Sequence, residues 1–208
     1  MARLLADELG WHLLDSGALY RLTALAAMRR AIPLGNSEEV TEVAAGLAVQ
    51  FPANGGGEAR IILDDEDVTT AIRSETCGDA ASRVAAIPTV RDALLERQRR
   101  FRRAPGLVAD GRDMGTVVFA DADVKIFLTA SAEERARRRY KQLSQKGINA
   151  SLAPLVSEIA ERDRRDTERA VAPLRPAPGA HLLDSTGLAI HEVKDMAMHI
   201  VRAQLLRR

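Results

Sequence analysis

Three charged side chains that could bind phosphate or metal groups follow one short apolar run of the sequence. Asp110, Arg112 and Asp113 lie within four residues, directly after Leu107–Ala109, and glycines stand at positions 111 and 115. A buried strand that ends in charges and glycines is typical of a site at the carboxyl edge of an α/β sheet. An ordinary strand-to-loop turn with solvated charges has the same pattern. The segment 106–119 is therefore a candidate site that needs support from elsewhere in the chain.

A second candidate lies near the beginning of the chain. The run Trp11–Leu14 predicts a buried strand, and Asp15, Ser16 and Arg21 follow at the start of a predicted helix. A strand end that meets a helix N-terminus favours an anion, because backbone N–H groups and the helix dipole point at it. Plain capping of the helix by Ser16 explains that residue equally well.

A third candidate is a strongly cationic helix near the end of the chain. Arg162, Asp166 and Arg169 follow one another at i, i+4 and i+7, so they share one helix face. An exposed helix with internal salt bridges has the same spacing. The excess of arginine on a helical pair between two core strands also suits a mobile lid that closes over phosphates.

The composition excludes several classes of protein. The 208 residues suffice for one sizeable core, and the net charge of +1 gives no global basic field for nucleic acid. A single cysteine, Cys77, excludes a disulfide framework and a cysteine metal site. The sequence contains no apolar run of 18 residues that would predict a membrane span. A reducing cytoplasm is the compartment expected by default. Of the 30 basic residues 26 are arginines, the side chain best suited to phosphate.

The order of predicted elements is that of an α/β protein with an insertion. A hairpin connection is expected at 54–57, and the acidic run 64–67 is expected to be a solvated turn. Helices are predicted over 2–9, 18–30, 40–47, 71–86, 88–103, 152–169 and 190–206, with another beginning at Ser131, and strands over 11–14, 49–51, 61–63, 107–109, 124–128 and 181–184.

Several long motifs, in order, make the chain similar to the bacterial cytidylate kinases. They are WHLLDSGALYR at 11–21, AASRVAAIPTVRDALLERQRRF at 80–101, GLVADGRDMGTVVFADADVKIFLTAS at 106–131, EERARRR at 133–139, EIAERDRRDTERAVAPL at 158–174 and LDST at 183–186. The resemblance implies an α/β, three-layer P-loop nucleoside monophosphate kinase fold with a parallel sheet. Its core would be residues 1–33, 87–130 and 170–208, with an inserted monophosphate-binding domain at 34–86 and a helical lid at 131–169.

The resemblance also implies the reaction and its residues. The activity would be ATP-dependent phosphorylation of CMP or dCMP by a monomer, with Mg²⁺ as cofactor. Substrate contacts would come from Ser16, Arg21, Ser82, Arg91, Arg112, Asp113, Arg162, Asp166 and Arg169, catalysis from Arg112, Arg162 and Arg169, ATP contacts from Arg138 and the metal contact from Asp110. Asp113 would accept from the cytosine N4 amino group, which uracil lacks.

One element of the family pattern is absent from the 208 residues. No Gly-x-x-x-x-Gly-Lys-[Ser/Thr] loop, which cradles ATP phosphates, occurs in them. The resemblance therefore implies that the central first strand and its loop are missing, and we expect a chain shortened at its start with little activity and low stability. The alternatives are a non-catalytic relative that keeps the CMP pocket, and a kinase of another monophosphate such as UMP.

Overall fold

The computed structural model describes residues 1–50, 60–145 and 147–206. Helices and strands are mixed along this length, and several helices follow one another in pairs. The helices are α1 Ala2–Leu9, α2 Ser16–Arg29, α3 Ser37–Ala45, α4 Glu75–Val84, α5 Pro88–Arg99, α6 Ala132–Gln145, α7 Leu152–Glu168 and α8 Ile190–Leu205, and the strands are β1 His12–Asp15, β2 Val49–Gln50, β3 Ile62–Leu63, β4 Glu66–Asp67, β5 Leu107–Asp110, β6 Ile126–Thr129 and β7 His181–Asp184.

The strands form three small sheets. β6 and β7 pair in parallel, with Ile126 opposite His181 and Thr129 opposite Asp184. β2, β3 and β4 pair antiparallel, and β1 lies beside β5. The predicted mixed α/β class with parallel pairing is confirmed. In the described part of the chain β5 and β6 belong to different sheets, and a missing strand between them stays a prediction.

The chain divides into two compact units. Unit 1 contains Met1–Leu13, Ala104–Val108 and Arg112–Arg208, and unit 2 contains Leu14–Arg103 and Ala109–Gly111. Both β1 and β5 pass from one unit into the other. The further division into core, inserted domain and lid stays a prediction.

In unit 1 the core forms where α1 and α8 pack on the β6–β7 sheet. Leu5 of α1, Leu183 of β7 and Val193, Ala197 and Met198 of α8 are its buried members. Burial of each of the leucine, valine and methionine side chains among them contributes about 1.5–3 kcal/mol. Glu8 adds surface ion pairs with Lys194 and Arg202, each at 2.9 Å. In unit 1, α6 also packs along α7, which forms the helical pair expected between core strands.

In unit 2 the apolar helix α2 is the central element. It packs against α3 and α4, and α3 packs against α5. The side chains that fill this core are almost fully buried: Leu14, Leu19, Leu22, Leu63 and Leu94. Asp15 caps α2, since its Oδ1 accepts from Ala18 N at 3.1 Å.

Most predicted elements are present, and their ends differ where a capping side chain intervenes. The helix predicted over 71–86 is interrupted because Ser74 caps α4 by accepting from Cys77 N. The strand predicted over 124–128 lies at Ile126–Thr129. The acidic run 64–67 contains the turn that was expected, but Glu66–Asp67 also forms β4. The expected hairpin connection at 54–57 lies outside the described residues.

No helix found in the described ranges is both long enough and apolar enough to span a membrane.

Candidate functional site

Three arginine side chains of unit 1 surround one carboxylate. Arg112 Nε lies 2.9 Å from Asp166 Oδ2, with hydrogen-bond geometry. Arg162 Nε lies 4.0 Å from the same oxygen, and Arg169 Nη1 lies 3.9 Å from Oδ1. The Asp166 side chain is 4% exposed and that of Arg169 is 6% exposed. The face predicted from the i, i+4, i+7 spacing of α7 is therefore real, and Arg112 joins it from 54 residues away.

Two arginines of this cluster are accessible to solvent. The side-chain exposures are 40% for Arg112 and 30% for Arg162. Guanidinium groups bind phosphate and carboxylate oxygens through paired N–H donors. Arginine side chains that lie together and reach solvent are suited to binding an anion.

Asp113 is held by a short turn of unusual geometry. The carbonyl oxygen of Asp113 accepts from Val117 N at 2.9 Å and from Val118 N at 3.2 Å, within a π-helical turn over Met114–Val118. Such turns are rare in proteins, and those that occur are often found at functional sites. The residue is 3% exposed, which is very low for an aspartate. The sequence predicted a loop here and did not predict this turn.

Arg21 of unit 2 is held by the segment before α4 and by α4 itself. Its Nη1 donates to Ile72 O at 2.7 Å, and its backbone carbonyl lies 3.4 Å from the Cys77 thiol. Burial raises the pKa of that thiol. A Cβ at Gly78 would lie 3.2 Å from Arg21 Nη2, so the absence of a side chain there leaves room for the guanidinium. Neither Cys77 nor Gly78 was predicted to matter.

Three further predicted residues of unit 2 are buried. Ser16 is 2% exposed and begins α2, but Asp15 makes the cap, so capping does not explain Ser16. Arg91 is 7% exposed, donates to Ala85 O at 3.1 Å and lies over the Tyr20 ring at 5.6 Å. Tyr20 could have been suspected only from its place one turn after Ser16. Ser82 is also buried, at 7% exposed.

Arg138 lies on α6, and its side chain reaches Ser185 at the end of β7. The bonds that the structure gives for it are separate from the Asp166 cluster. Its Nη2 donates to Ser185 O at 2.5 Å, its Nη1 to Ser185 Oγ at 3.1 Å, and its Nε to Glu134 Oε1 at 2.9 Å. Next to it, Thr186 donates through its N–H and hydroxyl to Asp184, which lowers the pKa of that carboxyl.

α6 and α7 are joined by an ion pair with two hydrogen bonds. Arg135 donates to both carboxylate oxygens of Asp163, with Nη1 at 2.9 Å from Oδ1. The hydrogen bonds that Arg135 donates to Asp163 raise the pKa of Arg135. A charged pair with two bonds fixes the mutual orientation of the helices, and α7 carries Arg162 and Asp166.

A divalent cation would find few protein ligands. Asp110 ends β5 with an exposed side chain, and the described ranges hold no group of three or more His, Cys, Asp or Glu residues able to bind a metal. Mg²⁺ is commonly held by one or two carboxylates together with substrate phosphates and water. The single carboxylate of Asp110 is compatible with that mode of binding. It is not compatible with a site in which protein side chains supply every ligand of the ion.

The predicted site residues are distributed over the two units of the chain. Arg112, Arg162, Asp166 and Arg169 meet within unit 1, which also contains Asp113 and Arg138. Ser16, Arg21, Ser82, Arg91 and Asp110 belong to unit 2. A mixed α/β fold with arginines clustered at one carboxylate is compatible with the class of phosphate-binding proteins.

Comparison with known proteins narrows this class to one family. The family model described as cytidylate kinase matches residues 1–203. A cytidylate kinase of Shewanella denitrificans is 54% identical over 206 residues, covering 99% of this chain and 91% of that protein. Cytidylate kinases of Pseudomonas aeruginosa and Stutzerimonas stutzeri are 62% and 63% identical over 194 residues, covering 93% of this chain and 85% of theirs. The chain belongs to the cytidylate kinase family and is therefore a kinase by descent.

Proposed function

We propose that this protein transfers a phosphoryl group from ATP to CMP or dCMP. The observation that carries the proposal is the meeting of Arg112, Arg162 and Arg169 at Asp166. Phosphoryl transfer needs positioning and neutralisation of charge more than covalent help, and one well-placed arginine contributes roughly 10³–10⁵ in rate. A cluster of arginines held at one carboxylate suits both tasks, and no general base is required.

The acceptor nucleotide is proposed to bind through the substrate-contact residues that the family resemblance implies. Ser16 and Arg21 hold the CMP phosphate, while Ser82, Arg91, Arg112 and Asp113 surround the phosphate and the cytosine. Arg162 and Asp166 reach the ribose hydroxyls and phosphates. The π-helical turn that follows Asp113 supports its role, because such turns are frequent at functional sites.

The donor side is proposed to use Arg138 and Asp110. Arg138 contacts ATP from its position beside Ser185. Asp110 orders the water shell of Mg²⁺, which neutralises phosphate charge when it is bound. Arg112, Arg162 and Arg169 are the catalytic residues, with Arg169 at the transferring group.

The 208 residues contain no Gly-x-x-x-x-Gly-Lys-[Ser/Thr] loop for the ATP phosphates. We therefore propose low turnover for these residues alone. The same observation favours a second candidate, a nucleotide-binding protein that keeps the CMP pocket without catalysis. Turnover by the chain with and without an added N-terminal strand and Gly-x-x-x-x-Gly-Lys-Gly-Thr loop separates the two. Restored conversion of CMP to CDP supports the kinase, and inactivity of both chains supports the second candidate.

Binding of CMP tests the acceptor site without the need for turnover. In calorimetric titrations we expect Arg162→Ala to weaken CMP binding about 10- to 100-fold, because a charged hydrogen bond is lost. Arg164→Ala is the matched control, since Arg164 lies on the same helix but pairs with exposed Glu161 and Glu168. Equal effects of the two substitutions would contradict the proposal.

Selectivity for cytosine is tested with UMP. The wild type should bind CMP more tightly than UMP by about 1–3 kcal/mol, since the N4 amino group of cytosine donates a hydrogen bond and uracil has a carbonyl at that position. Asp113→Ala should abolish that preference. A preference for UMP, or a cytosine preference that survives the substitution, would favour a kinase of another monophosphate. The proposed monomeric state is tested by light scattering.

A further inference from the structure

The segment that follows α7 has an uncommon backbone conformation. α7 ends at Glu168, Arg169 is its C-cap, and the chain then turns through Ala170–Leu174, here called the exit loop. Ala172 has a φ of +49°. Non-glycine residues rarely adopt positive φ, because the Cβ crowds the backbone.

The next residue makes this conformation less favourable still. Pro173 follows Ala172, and the proline ring drives the residue before it toward extended backbone with strongly negative φ. The two preferences act in the same direction, so the surrounding structure must hold Ala172 in place. Backbone strain of this kind persists at functional sites, where it is held by neighbouring contacts.

The exit loop bonds to two members of the arginine cluster. Arg169 Nε donates to the Ala172 carbonyl at 2.7 Å, and Leu174 N donates to the Asp166 carbonyl at 2.7 Å. A guanidinium is planar, so a bond at Nε sets the plane in which its terminal nitrogens lie. One of these terminal nitrogens, Arg169 Nη1, lies 3.9 Å from Asp166 Oδ1.

We propose that Ala172 is a positioning residue that orients the Arg169 guanidinium through its backbone carbonyl. Ala172 combines a positive φ with a carbonyl that accepts from Arg169 Nε, and Leu174 joins the loop to α7. The role of Arg169 in binding the nucleotide rests on the proposed function, whereas the orientation of its side chain can be tested without a nucleotide. In the alternative explanation, the Arg169 side chain stabilises the exit loop, and the loop does not orient Arg169.

Four variants of the full chain separate these possibilities. Ala172→Val places a β-branched side chain where positive φ is least tolerated. Ala172→Gly removes the strain and keeps the conformation accessible. Ala170→Val is the matched control, because Ala170 is exposed and is not among the residues with positive φ. Arg169→Ala, alone and combined with Ala172→Val, completes a double-mutant cycle.

The first measurement is hydrogen exchange of the Arg169 Nε–H by nuclear magnetic resonance, without nucleotide. A buried, bonded Nε–H exchanges slowly. We expect protection in the wild type, Ala172→Gly and Ala170→Val, and exchange about tenfold faster or more in Ala172→Val, where the acceptor has moved. Unchanged protection in Ala172→Val would overturn the proposal.

The second measurement is the affinity for CMP. Ala172→Val should weaken binding about tenfold, Ala172→Gly and Ala170→Val less than about twofold, and Ala172→Val should have no further effect once Arg169 is alanine. An equal loss in both backgrounds would overturn the proposal, because the loop would then act without Arg169. A wild type that fails to bind CMP would contradict the proposed function and leave the exchange experiment decisive for Ala172.

An additional variant tests the proposal if Ala172→Val does not fold. Ala172→Gly combined with Pro173→Gly loosens the exit loop without adding bulk. We expect the Nε–H to lose its protection and CMP binding to weaken several-fold. Retention of both properties in this variant would overturn the proposal.

Discussion

Asp166 lies between three arginines, and Arg112 Nε is within hydrogen-bond distance of its Oδ2. Asp166 as a residue is 3% exposed, and its buried carboxylate compensates the charge of the surrounding cations. Its removal leaves Arg112, Arg162 and Arg169 to repel one another. Partial exposure of Arg112 and Arg162 lets water reduce that repulsion. Single residues in this cluster therefore affect both stability and affinity for anions.

Asp166→Asn should lower the free energy of unfolding by about 1–3 kcal/mol, because the buried charge partner of the arginines is lost. Inorganic phosphate should then raise the urea midpoint more in Asp166→Asn than in the wild type, since it replaces the missing charge. Glu161→Gln is the control, because Glu161 pairs with Arg164 on the exposed face of α7. The interpretation fails if both variants unfold at the same urea concentration.

At the scale of elements, β1 and β5 meet in unit 1 through a very close approach. His12 N donates to Gly106 O at 2.9 Å, and a Cβ at Gly106 would lie 2.5 Å from Cδ2 of the Trp11 ring. Real Cβ atoms do not come so close to a ring. Only glycine therefore fits at the start of β5, the strand that leads to Asp110 and Arg112.

Gly106→Ala should destabilise the protein by about 1–3 kcal/mol, because the indole must move to relieve the overlap. Trp11 is the sole tryptophan, so its fluorescence should report the displacement directly. Gly35→Ala is the matched control, since a Cβ there meets nothing within 4 Å. Unchanged emission and stability in Gly106→Ala would show that the strands do not approach this closely.

At the scale of the whole molecule, the charges are almost balanced, with 30 basic and 29 acidic residues. Several exposed carboxyl groups nevertheless have a lowered pKa because they accept hydrogen bonds or face cations. Asp67 has a pKa of about 2, owing first to its bond from Thr69 and then to Arg60. The others are Glu8, Glu133, Glu161 and Asp184.

A carboxyl group whose pKa is lowered by folding stabilises the protein above its unfolded pKa, and the effect is lost as the pH falls. The unfolded values are 4.5 for glutamate and 3.8 for aspartate, and Asp67 titrates near 2. The urea midpoint should therefore fall progressively from about pH 4.5 to about pH 2. Asp67→Asn should remove part of the loss in the lowest part of this range. A midpoint that stays constant down to pH 2 would be inconsistent with these pKa shifts.

Much of the fold could be predicted from sequence because its signals are local. The β7 strand at 181–184 and the α1 helix at 2–9 lie where they were expected, and Gly10 closes α1 with a φ of +66°. Predictions failed by a few residues where one side chain changed a boundary, as at Ser74 and Asn36, which cap α4 and α3. Such caps compete with periodicity within a single turn.

The sequence by itself determined the family, the classes of element and the shared face of Arg162, Asp166 and Arg169. These depend on motif order and on helix periodicity, both of which are contained in short windows of sequence. Only the tertiary structure decided that Arg112 bonds to Asp166, that Arg91 lies over Tyr20, and that Ala172 turns its carbonyl to Arg169. These contacts depend on how distant segments pack and on strain that neighbouring bonds maintain, and neither leaves a periodic signal in the sequence.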